Sequence, residues 1–393
     1  MNNPSEKLWN ANYNKVMFTN FTLFFSLYLL TPLLPLYLSE TWGATKDTIG
    51  WVLSGYTLVA LVMRLFSGYL VDSYPRKVVL LVCLFVYFLF FGSYLMAGGL
   101  LWFALVRTLH GAPFGATTVA NSTMAIDVLP SSRRSEGIGY YGLSNNLASA
   151  LAPTIGMAVY QVTHNFDFLF WLSFLIAGLG FLISFDIKVK DRPAVLNRRP
   201  LSWDRFFLLK GWFLALNVLF FGFCWGVLSN YLAIYGKEHL GITSGTGAYF
   251  MVLSAGLILS RLQGAKSLRE GHLIQNAFEG VLLSTIGYTL FIAYPTTVGY
   301  YGSALLIGLG NGHMWPAFQN MIIGIARKDE RGTANSTILT SWDLGMGLGI
   351  LLGGIVAEHF GYDSTFWMMV VVHIFGLVSF ILLTRNGFKR LQQ

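Results

Sequence analysis

The sequence predicts an all-α integral membrane protein whose twelve transmembrane helices form two pseudo-symmetric six-helix bundles. Three observations indicate this fold class. Hydrophobic residues make up 54% of the 393 residues and charged residues only 11%, whereas soluble domains are about one quarter charged. Apolar stretches long enough to cross a hydrocarbon core of about 30 Å recur twelve times along the chain. The two halves of the chain also repeat weakly, at one constant offset.

The spans are taken from the apolar runs and the polar or charged residues that bound them. The N-terminus is polar to about Asn14, and the apolar run from Val16 to Leu38 is too long for the core of a cleaved signal peptide. We therefore expect this run to remain as the first helix. The predicted spans are residues 16–39, 49–71, 77–97, 99–124, 136–160, 167–187, 211–235, 246–264, 273–294, 297–321, 334–357 and 363–384.

Lysine and arginine set the expected orientation, because cytoplasmic loops carry an excess of these residues. With the N-terminus inside, the inner segments hold 21 of them and the outer loops hold only Lys46 and Lys237. Three more lie within helices, namely Arg64, Arg107 and Arg261. Both termini are therefore predicted to be cytoplasmic. The net charge of +8 is explained by topology, so no nucleic-acid partner is expected.

The internal repeat predicts the domain organisation. An offset of 197 residues superposes similar residues of the two halves: Arg64 on Arg261, Gly111 on Gly308, Gly115 on Gly312, Ala120 on Ala317, Arg134 on Arg331, and Gly156 on Gly353. A basic segment separates the halves. The predicted domains are residues 1–187 and 211–393, joined by a cytoplasmic linker of residues 188–210. Duplicated helical units of this kind are typical of secondary transporters, which bind substrate near the midplane.

Several motifs resemble those of one transporter family. They are GYLVDSYPRK at Gly68–Lys77, RTLHGAPFGA at Arg107–Ala116, APTIG at Ala152–Gly156 and GLGNGHMWP at Gly308–Pro316. With twelve helices, the chain resembles the major facilitator superfamily, and most closely its drug–proton antiporter branch. The resemblance implies the major facilitator fold, alternating access by rocking of the two bundles, and a place in the bacterial inner (cytoplasmic) membrane.

The inner loops hold a predicted conformational gate. Asp72, at the inner end of the second helix, can accept hydrogen bonds from Arg76 or Arg133 and can face the start of the eleventh helix. The resemblance implies that such contacts form only while the inner gate is closed. The alternative is that these cations only mark topology and that the intrahelical arginines snorkel to the interface. The residues predicted for the gate are Asp72, Arg76, Lys77, Arg133, Arg134, Arg64 and Arg261.

Proton coupling is assigned to the scarce ionisable residues within spans. Arg107 lies deep in its helix, where a charge costs at least about 2.5–3.5 kcal/mol, and the resemblance implies that it couples protons to substrate. Asp343 is an intramembrane carboxyl group suited to carrying a proton. Glu279 and His313 are further candidates. For each residue a purely structural role remains the alternative.

The predicted substrate cavity combines aromatic rings with amides, which suit ring-bearing or amphipathic solutes. Its candidate residues are Tyr28, Asn146, Asn217, Trp225, Asn311 and Trp342. Three further residues are predicted to let helices bend, namely Pro153, Gly156 and Pro316. Static packing is the alternative explanation for all of these residues.

The sequence thus predicts a proton-coupled exporter of small organic solutes or drugs. No acid lies between Glu6 and Glu40, where some multidrug exporters hold a carboxylate for lipophilic cations. This favours the alternative of a polar metabolite, such as a sugar or an amino-acid-like compound; a lipid flippase is a further alternative. Phosphate-loop, hydrolase and metal motifs are missing from the sequence, so we expect no enzyme, cofactor or metal. The expected partners are the solute, protons and the bilayer, with the chain as a monomer.

Overall fold

The computed structural model describes residues 7–130, 134–189, 207–242, 245–269, 271–326 and 331–392. Every regular element among them is helical. The helices are α1 (Ala11–Leu30), α2 (Leu34–Trp42), α3 (Lys46–Ser73), α4 (Arg76–Leu95), α5 (Leu100–Val128), α6 (Arg134–Thr163), α7 (Phe166–Phe185), α8 (Trp212–His239), α9 (Gly245–Arg269), α10 (Leu273–Ala293), α11 (Thr297–Ile325), α12 (Arg331–Ser379) and α13 (Arg385–Gln392). Every predicted span falls on helical segments, so the predicted all-α membrane fold class is confirmed.

The first span is broken into α1 and α2, which meet at a bend of 40°. Pro32 and Pro35 lie at this break, and a proline cannot donate the backbone hydrogen bond that a continuous helix requires. At the other end of α1, the Asn10 side chain caps the helix by accepting from the backbone N–H of Tyr13. The first predicted span therefore holds two helices.

The last two spans run together as α12, which turns at Gly361. Gly361 has φ 82° and ψ 167°, a conformation that glycine adopts without a steric penalty. A short π-helical turn, Phe380–Thr384, then leads into α13. A single glycine thus replaces the loop expected between residues 357 and 363.

Three long helices continue through an internal proline: α5 through Pro113, α6 through Pro153 and α11 through Pro316. Any bending at Pro153 and Pro316 therefore does not interrupt these helices. Gly156 has a packing role in α6, since a Cβ there would collide with the backbone carbonyl oxygen of Leu29 in α1.

The chain packs as two compact units. Unit 1 comprises Met1–Leu33 and Leu58–Arg199, and unit 2 comprises Leu34–Thr57 and Pro200–Gln393. The segment Leu34–Thr57 is thus part of the first half by chain order but packs within unit 2. The domain boundaries stated above remain a prediction.

Within unit 1, α1 packs against α5, α6 and α7, and α4 packs against α5 and α7. Both α4 and α7 leave apolar side chains exposed along one face, among them Val82, Phe85 and Leu89 on α4 and Leu179 and Leu182 on α7. An apolar face of this extent requires lipid rather than water. By length and composition alone, five described helices could cross a membrane, or six if the bent pair α1–α2 is one span.

Within unit 2, α8 packs along α12 and α11 packs on both α9 and α10. The contact between α8 and α12 is unusually close, and we call it the glycine seam. A Cβ on any of its four glycines would collide with the backbone of the facing helix; these are Gly222, Gly226, Gly345 and Gly349. Small residues of this kind let helix backbones approach within a membrane.

Candidate functional site

A buried cation in unit 1 is the centre of a polar network. Arg107, on α5, is only 4% exposed. Its Nη1 donates to the hydroxyl group of Tyr94 on α4 at 3.4 Å, and that hydroxyl group lies 2.7 Å from Nδ1 of His110, one turn further along α5. The sequence prediction for Arg107 named no partner. The Tyr94 hydroxyl group connects these two ionisable side chains.

Aromatic rings surround His110. Phe90 stacks on the imidazole at 5.1 Å and Tyr87 lies at 4.7 Å. The Tyr87 hydroxyl group donates to the carbonyl oxygen of Leu23 and lies 3.1 Å from Oγ of Ser26, so α1 is linked to the same cluster. The signal that sequence reasoning missed is the spacing of Tyr87 and Tyr94, which places both on one face of α4.

A second polar cluster joins α1, α5 and α6. Asn20 donates to Oγ of Ser144 at 2.8 Å and accepts from the Tyr141 hydroxyl group at 2.7 Å. Asn121 donates to the same hydroxyl group at 3.1 Å. Since both asparagines are buried, this network stabilises the packing of unit 1.

Arg64 lies against aromatic and polar groups of α5. Its Nε donates to Oγ1 of Thr118 at 3.3 Å, and its guanidinium lies 5.7 Å from the centre of the Phe114 ring. Phe114 contacts Phe24, which stacks on Tyr28 at 5.8 Å. Tyr28, predicted to line the cavity, is half-buried. It is the last of three aromatic rings in contact, the first of which, Phe114, lies against the Arg64 guanidinium.

Cations at the inner ends of the helices of unit 1 have partners among the described residues. Arg76 pairs with Asp127. Lys77 donates to the carbonyl oxygen of Phe185 at 2.7 Å. Lys15 pairs with Asp186, just beyond the end of α7, and lowers the pKa of that carboxyl group. Arg133 and the side chains of Asp72 and Arg134 lie outside the described residues, so their predicted roles in the gate stay predictions.

The proton-coupling candidates of unit 2 differ in burial. Asp343 is 5% exposed within α12. Glu279 is exposed on α10 and accepts from Gln275, one turn earlier. His313 is 8% exposed, and its Nδ1 atom lies 3.1 Å from Oδ1 of Asn276 on α10. Their roles in proton coupling stay predictions.

The residues predicted to line the cavity also differ in burial. Asn217 is fully buried, donating to the carbonyl oxygen of Gly376 and accepting from Thr384 at 2.7 Å. Both ends of its amide are thus hydrogen-bonded within unit 2, and its assignment to the cavity stays a prediction. Trp225 is half-buried on a stretch of α8 that is otherwise buried from Phe221 to Gly236.

Three more cavity candidates are half-buried. Trp342 packs edge-on against Trp315, with ring centres 5.0 Å apart. Asn311 hydrogen-bonds Tyr288 of the neighbouring helix. The Nδ2 atom of Asn146 is buried and has no acceptor among the described residues.

Arg261 differs from Arg64, its counterpart in the repeat. It is half-buried on α9, and its buried Nε atom has no hydrogen-bond acceptor in the described part of the chain. Ser260, beside it, has a buried Oγ atom that likewise lacks a partner among described residues.

A charged cluster joins Leu34–Thr57 to the rest of unit 2. Glu40 pairs with Lys237 of α8. The backbone N–H of Lys46 donates to Glu358 at 2.8 Å, and a Cβ on Gly50 would lie 3.0 Å from the carbonyl oxygen of Ile350. From the sequence, Lys46 and Lys237 were interpreted only as topology signals. In the structure, the Lys237 side chain pairs with Glu40, and the backbone N–H of Lys46 donates to Glu358.

Comparisons with known proteins agree with this architecture. The family model described as Major Facilitator Superfamily matches residues 16–275 and 277–392. The chain is 22% identical over 358 residues to the "Staphylopine export protein" of Staphylococcus aureus, covering 86% of this chain and 87% of that one. It is also 22% identical over 391 residues to the "Quinolone resistance protein NorA" of Staphylococcus aureus, covering 96% and 97%.

Solved structures show the same fold. A bacterial homolog of the human lysosomal transporter Spinster superposes with a TM-score of 0.79 at 14% identity, covering 98% of this chain and 99% of that one. The helices, the exposed apolar faces and the family match lead to one conclusion. The chain is an integral membrane protein that belongs to the major facilitator superfamily of secondary transporters.

Proposed function

We propose that this transporter is a proton-coupled exporter of small organic solutes, working by alternating access as a monomer in the cytoplasmic membrane with both termini inside. The observation that carries the proposal is the buried network of Arg107, Tyr94 and His110. The names of the two Staphylococcus aureus relatives refer to export and to drug resistance, which supports the direction and the solute class.

The network responds to charge because it is buried. A guanidinium that is 4% exposed interacts with nearby charges far more strongly than one in water. A proton or an anion arriving beside Tyr94 therefore changes the preferred position of Arg107. Linkage of proton movement to helix movement needs a charge of this kind.

Asp343 is the proposed proton carrier. Its buried carboxyl group is neutral when protonated and charged when not, and the two forms favour different surroundings. A proton bound from the outside and released to the inside would then drive the return step of the export cycle.

A second candidate function is transport of a polar metabolite. It is favoured by Asn145 and Asn146 of α6, each of which has a buried amide atom without a hydrogen-bond partner among the described residues. Amide donors and acceptors of this kind suit a hydroxyl-bearing or amino-acid-like solute.

The test uses purified protein in liposomes that trap a pH-sensitive dye. A panel of drugs, sugars and amino acids is applied to the wild type, to Asp343→Asn and to Asp167→Asn, a matched control at an exposed acid of α7. We expect a solute-evoked proton flux that Asp343→Asn abolishes and Asp167→Asn retains. A flux that survives Asp343→Asn would contradict the assignment of Asp343. No proton flux with any solute would contradict proton coupling itself.

A further inference from the structure

Arg261 is a half-buried guanidinium that has no anion among the described residues. It lies 8 residues before the end of α9 at Arg269, which is about 12 Å along the helix. Its Nε atom is buried and has no acceptor in the described part of the chain. Buried arginines are normally paired, because an unpaired buried charge is unfavourable.

The surroundings of Arg261 are polar on one side. On the same part of α9, Ser260 faces Gly312 of α11, and Gly264 faces the ring of His313. The Oγ atom of Ser260 is buried and unpartnered within the described residues. The Arg261 guanidinium and the Ser260 hydroxyl group, on neighbouring residues of α9, thus each have an atom without a partner among the described residues.

The ion pairs found among the described residues of unit 2 join Lys237 to Glu40 and His239 to Asp363, and neither includes Arg261. Glu279, on α10, is exposed and accepts from Gln275. Glu40 and Glu358 are engaged with the lysines of the cluster around Leu34–Thr57. The contrast with Arg64 is informative, because that arginine lies over the Phe114 ring and donates to Thr118. Of two arginines equivalent by the repeat, one thus has local partners and the other has none among the described residues.

A guanidinium presents donors in a planar fork that matches the two oxygens of a carboxylate. We propose that Arg261 binds the carboxylate of an organic anion, and that the exported solutes accordingly include carboxylate-bearing compounds. This inference rests on the export function proposed above and adds a charge class to its substrate. Because Arg261 is half-buried, its guanidinium is both partly desolvated and reachable.

The experiment compares an anionic and a cationic solute in the same proteoliposomes. Carboxyfluorescein is the anionic probe and ethidium is the cationic one, each measured with proton flux. The variants are Arg261→Gln, Arg261→Lys and Arg385→Gln, a control at an exposed arginine of α13. We expect Arg261→Gln to raise the KM for carboxyfluorescein at least about tenfold, because a hydrogen bond to a charged group is lost. Arg261→Lys should have a smaller effect, and ethidium transport and the Arg385→Gln control should stay at wild-type level.

The other outcomes count against the inference in distinguishable ways. Ethidium-driven proton flux without carboxyfluorescein transport would leave the export function standing and overturn the anion site. An unchanged KM in Arg261→Gln would do the same. No flux with either probe would overturn both proposals. If Arg261→Gln does not purify as a folded protein, the KM of Arg261→Lys decides, since that variant keeps the charge but loses the fork.

A lipid phosphate is the rival partner for Arg261. The thermal midpoint of wild type and Arg261→Gln is therefore measured in nanodiscs of phosphatidylcholine with and without phosphatidylglycerol. A stabilisation by phosphatidylglycerol that requires Arg261, together with an unchanged KM for carboxyfluorescein, would assign the guanidinium to lipid and reject the solute site.

Discussion

The Tyr94 hydroxyl group is the residue-scale feature on which the coupling proposal depends most directly. It lies between Arg107 and His110, and both are buried. Without this hydroxyl group, each would lose a hydrogen-bond partner in surroundings where water is not available to replace it. A buried polar group left in that state costs about 1–3 kcal/mol.

We therefore expect Tyr94→Phe to uncouple proton flux from solute transport and to lower the thermal midpoint of the purified protein. The change removes one oxygen atom and keeps the ring that packs against Phe170. Solute-evoked proton flux and a melting curve measure the two effects. Tyr74→Phe is the matched control, because the Tyr74 side chain is exposed. Full coupling in Tyr94→Phe would show that Arg107 acts without this network.

Residue roles were only partly predictable from the sequence, for a physical reason. Hydropathy gives the depth of a residue in a membrane but not the neighbour that its side chain faces. Asn217 and Trp225 lie two turns apart on α8, yet the first hydrogen-bonds within unit 2 and the second is half-buried. Glu279 lies six residues into α10, and only the structure shows that its side chain is exposed there.

At the scale of elements, the glycine seam holds α8 and α12 so close together that its glycines tolerate no added side chain. A Cβ at Gly345 would collide with the backbone of Leu219, and one at Gly222 with that of Trp342. Backbone cannot move aside as a side chain can, so α8 and α12 would have to separate. Overpacking of this kind typically destabilises by about 1–3 kcal/mol.

The expected result of Gly345→Val is a lower thermal midpoint and loss of transport. The control is Gly178→Val on α7, where a Cβ would meet nothing within 4 Å. Differential scanning fluorimetry and the solute-flux assay report the two effects. Equal behaviour of the two variants would mean that the seam is looser than its geometry indicates.

Elements were the most predictable level. Apolar runs of about 20 residues located helical segments at all twelve predicted spans, because a membrane-spanning helix must satisfy its backbone internally. What the runs did not indicate was the break between α1 and α2, or that the last two spans join at Gly361 without a loop. Both features depend on a few prolines or glycines, and these also occur inside unbroken helices such as α5 and α11.

For the whole molecule, chain order and packing do not coincide. The segment Leu34–Thr57 packs within unit 2, although it precedes most of unit 1 in the chain. Its contacts include the ion pair of Glu40 and Lys237. The internal repeat predicted two halves of similar length. A repeat in the sequence does not show whether a segment of one half packs with the other half.

We expect Lys237→Glu to weaken this attachment through repulsion from Glu40, and the added change Glu40→Lys to restore it. The effect should be about 0.2–1 kcal/mol, as for other partly exposed pairs, and it should shrink at high salt. Thermal midpoints of the single and double variants at two salt concentrations measure it. Glu238→Lys, at the exposed neighbouring acid, is the control. A double variant no more stable than Lys237→Glu would contradict the pairing.

The glycine seam also leaves no path for water between α8 and α12. Where two helices touch backbone to backbone, as α8 and α12 do at Gly222, Gly226, Gly345 and Gly349, there is no gap wide enough for a file of water molecules. Protons leak through membranes along such files. At the level of these four glycines, the seam therefore closes the route between α8 and α12 to water and to protons.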